Sequence, residues 1–455
     1  MPRGLSDYFG FVRANLRLLA FGFLLCFASS FGQTFFIAVF GAEIRAAFDL
    51  TSGSFGAYYS AATLASGLSM IWLGGLVDRI DPGRFAAAVI LGLAAASLAM
   101  ALNPTAILLP VVIFGLRLFG QGLISHTALT AMAKSFRRAR GKAVSIAALG
   151  FPVGEAVFPL AGVALMAGFG WRGAWGIGAA IAFLAVLPLA LWLFRGAGAA
   201  VDGAPRNALR PASRPAPAGA AGAAATGQDD PPAEPVPPGG SATAAAAAGS
   251  ASRDEEPEVR SWRRREVLRD PRYWLMLPGI LAPAFVNTGI FFHQTVIAEA
   301  KGWSLAYWAA AFPVYAASTI VAATAAGPVI DRIGARRLLP LLLPPLLAAL
   351  LVLAGFAHPA TVIAYMLLAG LTQGAFSTVI QAIWAELYGT GHLGAIRAMA
   401  QAVMVIASAL SPALLGWALD AGAGVGAIAL ACAGYLLVAM ALLVPAVRRG
   451  PAEAK

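Results

Sequence analysis

Long apolar runs separated by short polar connections recur along almost the whole chain. Each run has about 20 residues, the length that a helix needs to cross a bilayer core of about 30 Å. Backbone groups in lipid must bond within their own segment, so each run is predicted to be a helix. The twelve predicted spans are 18–41, 54–77, 85–102, 105–133, 143–166, 173–194, 273–297, 305–330, 338–356, 361–386, 395–418 and 425–447.

One segment, residues 196–260, departs from this pattern. It consists largely of Ala, Pro and Gly with scattered charges, a composition that cannot bury a core, so we expect it to be disordered. The predicted organisation is a six-helix bundle at 1–195, a cytoplasmic linker at 196–260 and a second six-helix bundle at 261–450. The linker is interpreted either as a slack tether between the bundles or as a regulatory or docking segment.

The distribution of charged residues indicates the orientation of the chain in the membrane. Only 12% of the residues are charged and 59% are hydrophobic, whereas soluble domains carry about 25% charged residues. The net charge of +11 comes from basic residues in alternate loops, which indicates orientation rather than nucleic-acid binding. Because basic loops stay inside, the sequence predicts a multi-pass protein of a bacterial-type inner (plasma) membrane, with both termini cytoplasmic.

An internal repeat relates the two halves. The repeated motif contains Gly74, Asp78 and Arg79 in its first copy and Gly327, Asp331 and Arg332 in its second. The offset of 253 residues (331 − 78) also takes Arg84 to Arg337 and Pro159 to Pro412. Since six is even, both halves cross the membrane in the same direction. The predicted fold is an all-α membrane protein with two parallel-repeat six-helix bundles.

Each copy of the motif ends an even-numbered helix at the predicted cytoplasmic face. Its glycine allows two helices to approach closely. Its carboxylate can face the positive N-terminus of a helix in the other half, a contact that forms in one conformation and breaks in another. We therefore interpret the motif as a gate, with a rigid staple between helices as the alternative.

These motifs resemble those of the major facilitator superfamily. Gly74-x-Leu76-x-Asp78-Arg79 is similar to the family's signature in the loop after helix two, and Gly327-x-x-x-Asp331-Arg332 resembles its second copy. Arg117-x-x-x-Gln121-Gly122 and Gly150-x-Pro152-x-Gly154 are similar to two further motifs. The resemblance covers the chain outside the linker. It implies twelve helices, a cavity between the halves and transport by alternating access.

One position departs from the family pattern, and one segment resembles a particular branch of the family. Asp81-Pro82 stands where the first copy usually has a glycine. The segment 136–143 is similar to the monocarboxylate/oxalate–formate branch, although the eighth predicted helix carries no charged residue within its apolar body.

Two ionisable residues are predicted at membrane depth, where charge is costly and usually functional. Counted at 1.5 Å per residue, Arg117 lies about 24 Å and Glu155 about 20 Å from the cytoplasmic ends of helices four and five. These helices form one hairpin, so the two side chains could pair. Either Arg117 holds an anionic substrate while Glu155 takes up a proton, or the two form a structural ion pair.

Polar side chains recur at helical spacing in several spans and are expected to face the cavity. The substrate or coupling candidates besides Arg117 and Glu155 are Gln33, Gln121, Asn287, Gln294, Tyr315, Gln373 and Gln401. Hydrogen bonds between helices are the alternative explanation for these residues. His126 is predicted to be a packing residue, and His293 is a candidate proton relay.

The function predicted from the sequence is secondary active transport of a small solute across the bilayer. A small organic anion moved with a proton fits one strong cation and one carboxylate. A drug or metabolite efflux antiporter and a non-transporting membrane sensor are the alternatives. No nucleotide-binding loop, metal cluster or nucleophile motif occurs, so we expect no cofactor, no bound metal and no enzymatic activity. We expect a monomer.

Overall fold

The structure is a computed structural model that describes residues 3–136, 138–195 and 261–448, and the predicted linker lies outside these residues. The described chain is helical throughout and contains no strand. Its spanning helices are α1 (16–48), α2 (Ser52–Asp78), α3 (Pro82–Leu102), α4 (Ala106–Ser135), α5 (140–169), α6 (171–195), α7 (Pro271–Phe292), α8 (Leu305–Ile333), α9 (Ala335–Gly355), α10 (Ala360–Tyr388), α11 (Leu393–Asp420) and α12 (Val425–Val447).

The twelve-helix fold predicted from the apolar runs is confirmed. Ten helices are long and apolar enough to span a membrane, and the bent pair Tyr8–Ala14 and Leu16–Gly32 contributes an eleventh span. One of the ten is the continuous run Arg140–Arg195, whose 56 residues would extend about 84 Å, far more than one bilayer core. Gly170 breaks this run with a φ of 68° and a ψ of 170°, so it contains two spans, α5 and α6.

The first span is interrupted near its middle. Residues Ser29–Gly32 form a 3-10 turn, and Gln33 is extended with φ −81° and ψ 151° before the helix resumes at Thr34. Beyond this break, the Phe36 amide donates to the Gln33 carbonyl at 3.2 Å. The Gly32 carbonyl is therefore free to accept a hydrogen bond from another helix.

The fourth span is irregular at the same level. Residues Leu116–Leu123 of α4 form a π-helical segment, which packs against the 3-10 turn of α1. The two backbones cross at Gly32 and Gly120, where a Cβ on Gly32 would overlap the Leu116 carbonyl oxygen. Only glycine fits this crossing, and π segments inside α-helices occur frequently at functional sites.

The two faces of the molecule are distinguished by the loops they carry. The end that bears residues 78–82, 134–136, 388–393 and the last turn of α12 is called here the terminal face. The opposite end, which bears residues 48–52, 103–105, 301–304 and 420–424, is called the far face. The sequence predicts that the terminal face is cytoplasmic.

The two motif copies differ in how the following helix begins. In the first half Asp81 caps α3, and its Oδ1 accepts the Arg84 amide at 3.0 Å. The repeat places Gly334 at the corresponding position (81 + 253), where φ is 83°. Glu386 of α10 supplies the missing carboxylate, since its Oε2 accepts the Ala335 amide at 2.7 Å. The departure Asp81-Pro82 is thus an N-cap that the second half replaces with a residue from another helix.

Candidate transport site

The two halves are joined closely at the far face, where α2 packs against α11. The Gly53 amide donates to Asp420 Oδ2 at 2.9 Å, so the carboxylate of one half caps the first turn of a helix in the other. A Cβ on Gly56 would overlap the Pro412 carbonyl. Arg45 lies within electrostatic range of both Glu299 and Asp420, which adds attraction across the same junction.

Aromatic side chains of the two halves meet below this junction. The Phe292 ring of the second half lies 4.9 Å from Phe55 and 4.7 Å from Tyr59, measured between centroids. The Phe35 and Phe312 rings meet at 5.8 Å. These pairs, called here the aromatic closure, join the two halves below the junction.

The terminal face contains polar contacts of a different kind. Asp78 pairs with Lys134 of the same half at 2.6 Å, and Glu386 bonds α9 of its own half. Further hydrogen bonds at the terminal face, such as Lys134 with the Val77 carbonyl, Arg264 with the Ala395 carbonyl and Tyr388 with Asp270, also join residues of one half. At the far face, by contrast, the Gly53–Asp420 hydrogen bond and the aromatic pairs connect the two halves, an arrangement called here far-face-closed.

Arg117 lies directly beneath the aromatic closure. Its side chain is 5% exposed, and its guanidinium carbon lies 5.2 Å from the centre of the Tyr59 ring. Its Nη1 donates to the Gly32 carbonyl at 3.1 Å, the group freed by the break in α1. Its Nε is buried without a hydrogen-bond partner, and no ion pair between Arg117 and a carboxylate occurs among the described residues.

Tyr59 connects this cation to the closure. Its ring contacts both Arg117 and Phe292, which belong to different halves. Its hydroxyl lies 2.7 Å from Thr34 Oγ1, immediately after the break in α1. A change at Arg117 can therefore act on the far-face contacts through one side chain.

Glu155 does not pair with Arg117, contrary to the possibility raised by their similar depth. It is half-buried on α5, and no ion pair of Glu155 occurs among the described residues. Its carboxylate lies within electrostatic range of Tyr315 on α8 of the other half. Tyr315 is 3% exposed and packs edge-on against Phe291 at 5.2 Å.

The remaining candidate residues occupy several environments. Gln294 is fully buried and donates to the Phe35 carbonyl of the other half at 2.8 Å. Asn287 reaches Gln373 at 3.5 Å, the limit of a hydrogen bond. Gln33 and Gln121 are half-buried, and the described residues offer their side chains no hydrogen-bond partner. Gln401 is exposed near the terminal face.

The first gating motif is held by side chains of helix α4. Lys134 binds the Asp78 carboxylate and also donates to the Val77 carbonyl at 3.3 Å. His126, predicted to be a packing residue, places its Nε2 at hydrogen-bond distance, 3.1 Å, from the carbonyl of the motif residue Gly74. In the second copy Asp331 and Arg332 are exposed.

Sequence reasoning missed several residues of this arrangement. Asp420, Arg45 and Phe292 form the far-face junction, and Arg397 lines a cleft near the terminal face. Asp420 ends a span and Arg45 follows one, so each resembles an ordinary loop charge. Periodicity places a residue on a face of its own helix but does not indicate which helix lies opposite.

Comparison with known proteins assigns the family. The profile of the Major Facilitator Superfamily matches residues 22–359 and 297–455, which together span almost the whole chain. The chain belongs to the Major Facilitator Superfamily. This superfamily member is accordingly a multi-pass membrane transporter.

Solved structures of transporters share the fold of this chain. A bacterial homologue of the human lysosomal transporter Spinster, in an inward-facing and occupied conformation, is 16% identical with a TM-score of 0.62, and the match covers 97% of both chains. The nucleoside transporter NupG is 13% identical with a TM-score of 0.66, covering 96% of this chain and 99% of that one. At these identities the likeness shows the fold of the superfamily member alone. Curated protein sequences provided no significant match.

Proposed function

We propose that this superfamily member is a secondary active transporter that moves a small organic anion together with a proton by alternating access. The observation that carries the proposal is Arg117, a buried arginine without a carboxylate partner among the described residues. Burying a cation is costly unless an opposite charge compensates it. A carboxylate of the substrate would supply that charge on binding and offset the cost.

Glu155 is the proposed proton carrier. It lies half-buried between the bundles, near Tyr315 of the other half. A carboxylate in this position carries a charge that membrane depth disfavours, so protonation would ease its movement. The proton gradient would then drive accumulation through Glu155 while Arg117 holds the solute.

The proposed orientation places the terminal face in the cytoplasm of a bacterial-type inner membrane. Basic side chains such as Arg79, Lys134 and Arg336 collect at that face, as the positive-inside rule requires. We propose the domain division 1–195, 196–260 and 261–450, with the linker also cytoplasmic.

The substrate class can be tested by thermal shift of the purified protein. A ligand that binds the folded form raises the midpoint of unfolding. We expect small carboxylates to raise it and neutral isosteres of the same size to leave it unchanged, at each of two pH values. Stabilisation by lipophilic cations instead would favour the efflux antiporter and contradict the proposal.

Proton coupling can be tested in proteoliposomes with a carboxylate identified in that screen. The Glu155→Gln variant should abolish accumulation driven by a proton gradient but retain counterflow exchange, since exchange needs no net proton movement. Loss of both activities would indicate a structural role for Glu155. Deletion of residues 200–255 should leave uptake intact, whereas loss of uptake would support a regulatory linker.

A further inference from the structure

A second arginine stands in a cleft near the terminal face. Arg397 lies one turn into α11, and the cleft beside it is lined by Gln381, Trp384, Gln401 and Met404, among others. Counted from the helix ends at 1.5 Å per residue, Arg397 is about 6 Å and Arg117 about 27 Å from the terminal face. A solute entering from this face reaches Arg397 first.

The Arg397 guanidinium retains donors for a ligand. Its Nη2 donates to the Gln381 carbonyl, and its Nε is buried without a partner. An arginine has five N–H donors, so one bond to a carbonyl leaves most of them available. The side chain is half-buried, which leaves an approach from the cleft.

Two carboxylates at this end of the second half are already engaged. Glu386 caps α9 through the amides of Ala335 and Arg336. Asp270 binds Arg272 Nε at 2.9 Å and accepts the Tyr388 hydroxyl at 3.1 Å. No ion pair of Arg397 with a carboxylate occurs among the described residues, so an anionic ligand could compensate its charge.

The rest of the cleft suits a carboxylate with a small flat apolar body. Trp384 is 2% exposed and forms a rigid indole wall that stacks on Tyr388 at 6.3 Å. Met404 supplies a polarisable contact, and the exposed Gln401 amide can donate a hydrogen bond beside the guanidinium. A planar guanidinium fork binds a carboxylate through two parallel hydrogen bonds.

We propose that Arg397 forms a second anion site, an entry site at the terminal face that binds the carboxylate of the solute before it passes to Arg117. This inference rests on the proposed transport of an organic anion. The two sites are separated by about 20 Å along the helix axes, so both can be occupied in one molecule. The entry site raises the local concentration of the anion at the mouth of the pathway.

The test uses the full chain in phosphatidylcholine nanodiscs and 4-fluorobenzoate as the probe, followed by fluorine NMR titration. In an Arg117→Gln background, which removes the deeper cation, we expect 4-fluorobenzoate to bind still. Adding Arg397→Gln should weaken this binding at least roughly tenfold. The matched control Arg117→Gln with Arg265→Gln removes an exposed arginine of the same half and should leave it unchanged.

Three further arms identify the ligand chemistry. Arg397→Lys keeps the positive charge but not the planar pair of donors, so it should give intermediate binding. This variant still tests the site if Arg397→Gln fails to fold. Neutral 4-fluorobenzyl alcohol should not compete. Phosphatidylglycerol added to the nanodiscs should not displace the probe, and displacement would identify a lipid headgroup as the occupant and overturn the entry site.

The outcomes separate this inference from the proposed function. Binding to the wild-type chain that disappears completely with Arg117→Gln overturns the entry site and leaves the proposed function intact. Binding that Arg397→Gln abolishes while Arg117→Gln leaves it unchanged supports the entry site and contradicts the role proposed for Arg117. Absence of binding in every variant, including the wild type, also overturns the entry site.

Discussion

Arg117 is held by dipoles and a ring rather than by an acid. The Gly32 carbonyl accepts from its Nη1 at 3.1 Å, and the Tyr59 ring faces its guanidinium carbon at 5.2 Å. A carbonyl and a ring face each carry only partial negative charge, so they compensate a full cation incompletely. This incomplete compensation distinguishes a site that can accept an anion from an ion pair that locks two helices together.

The first prediction concerns the stability and binding of Arg117→Gln. Removing one member of a buried ion pair costs about 3–5 kcal/mol because the other charge is stranded. Since Arg117 has no such partner here, we expect the free energy of unfolding to change by less than about 1 kcal/mol, whereas carboxylate binding should weaken by about 100-fold. Thermal unfolding and titration of the same sample measure both quantities.

A double variant provides the control for this prediction. Because Arg117 and Glu155 are not in contact, the stability effects of Arg117→Gln and Glu155→Gln should add to within about 0.5 kcal/mol. The conclusion that Arg117 is unpaired would be contradicted by a coupling free energy of several kcal/mol between the two substitutions. A large loss of stability in the single Arg117 variant would contradict it as well. The structural ion-pair interpretation would then be correct.

At the scale of elements, two irregular helices create the arginine site. The 3-10 turn Ser29–Gly32 frees a carbonyl, and the π segment Leu116–Leu123 carries Arg117 past it. Glycine on both backbones brings the two segments together. The geometry of the site therefore depends on the helix crossing as well as on the polar side chain.

The second prediction tests this crossing with Gly32→Ala. A Cβ at this position overlaps the Leu116 carbonyl oxygen, which is backbone and cannot rotate away. We expect the free energy of unfolding to fall by about 3 kcal/mol or more, the upper range for overpacking a buried position. The matched control is Gly176→Ala in α6, where the nearest atom would be 3.9 Å away. Equal midpoints of thermal unfolding for the two variants would contradict the close crossing.

The third prediction concerns the start of α9, where Glu386 of α10 supplies the capping carboxylate. Glu386 accepts the amides of Ala335 and Arg336, so Glu386→Ala leaves two N–H groups of the helix start without this acceptor. We expect a loss of about 1 kcal/mol and faster hydrogen exchange at residues 335–338. Asp81→Ala should act in the same way on α3 and leave α9 unchanged. Unchanged exchange at the start of α9 in Glu386→Ala would exclude the cap.

The pattern along the chain predicted the regular elements and not the irregular ones. Apolar length predicted the spans, and the 253-residue offset (331 − 78) predicted the relation of the halves, because both can be read from the order of residues along the chain. Depth along a helix predicted that Arg117 and Glu155 lie at similar heights, but a residue count carries no information on how neighbouring helices are rotated. The π segment at Arg117 and the break at Gln33 alter that rotation further.

The whole molecule is organised by where the two halves touch. The described polar contacts between halves lie at the far face or at mid-depth, such as Gly53 with Asp420 and Gln294 with Phe35. Alternating access requires these contacts to break when the terminal face closes. The equilibrium between the two arrangements is set by the difference in their free energies, so weakening the far-face contacts must shift it.

The last prediction applies this argument to Gly53→Ala. The added Cβ would lie 2.5 Å from Asp420 Oδ2 and would also overlap the Trp417 ring, so it destabilises the far-face-closed arrangement specifically. Each 1.4 kcal/mol of such destabilisation changes the ratio of the two arrangements by about tenfold. The reporter is Ser377→Cys. Ser377 is exposed and lies on the same face of α10 as Gln381, which lines the cleft beside Arg397. Cys26 and Cys432 are buried and contribute little background to maleimide labelling.

We expect Gly53→Ala to slow labelling of the Ser377→Cys reporter by roughly tenfold, because the terminal face closes as the far face opens. Gly424→Ala is the matched control, since Gly424 also lies at the far face and a Cβ there would meet no atom within 4 Å. If Gly53→Ala and Gly424→Ala label at equal rates while both remain folded, the far-face junction does not control access to the terminal cleft. Slower labelling in Gly53→Ala but not in Gly424→Ala would show that a single methyl group at the far face changes access at the terminal face. Rocking of the two bundles against each other requires this coupling.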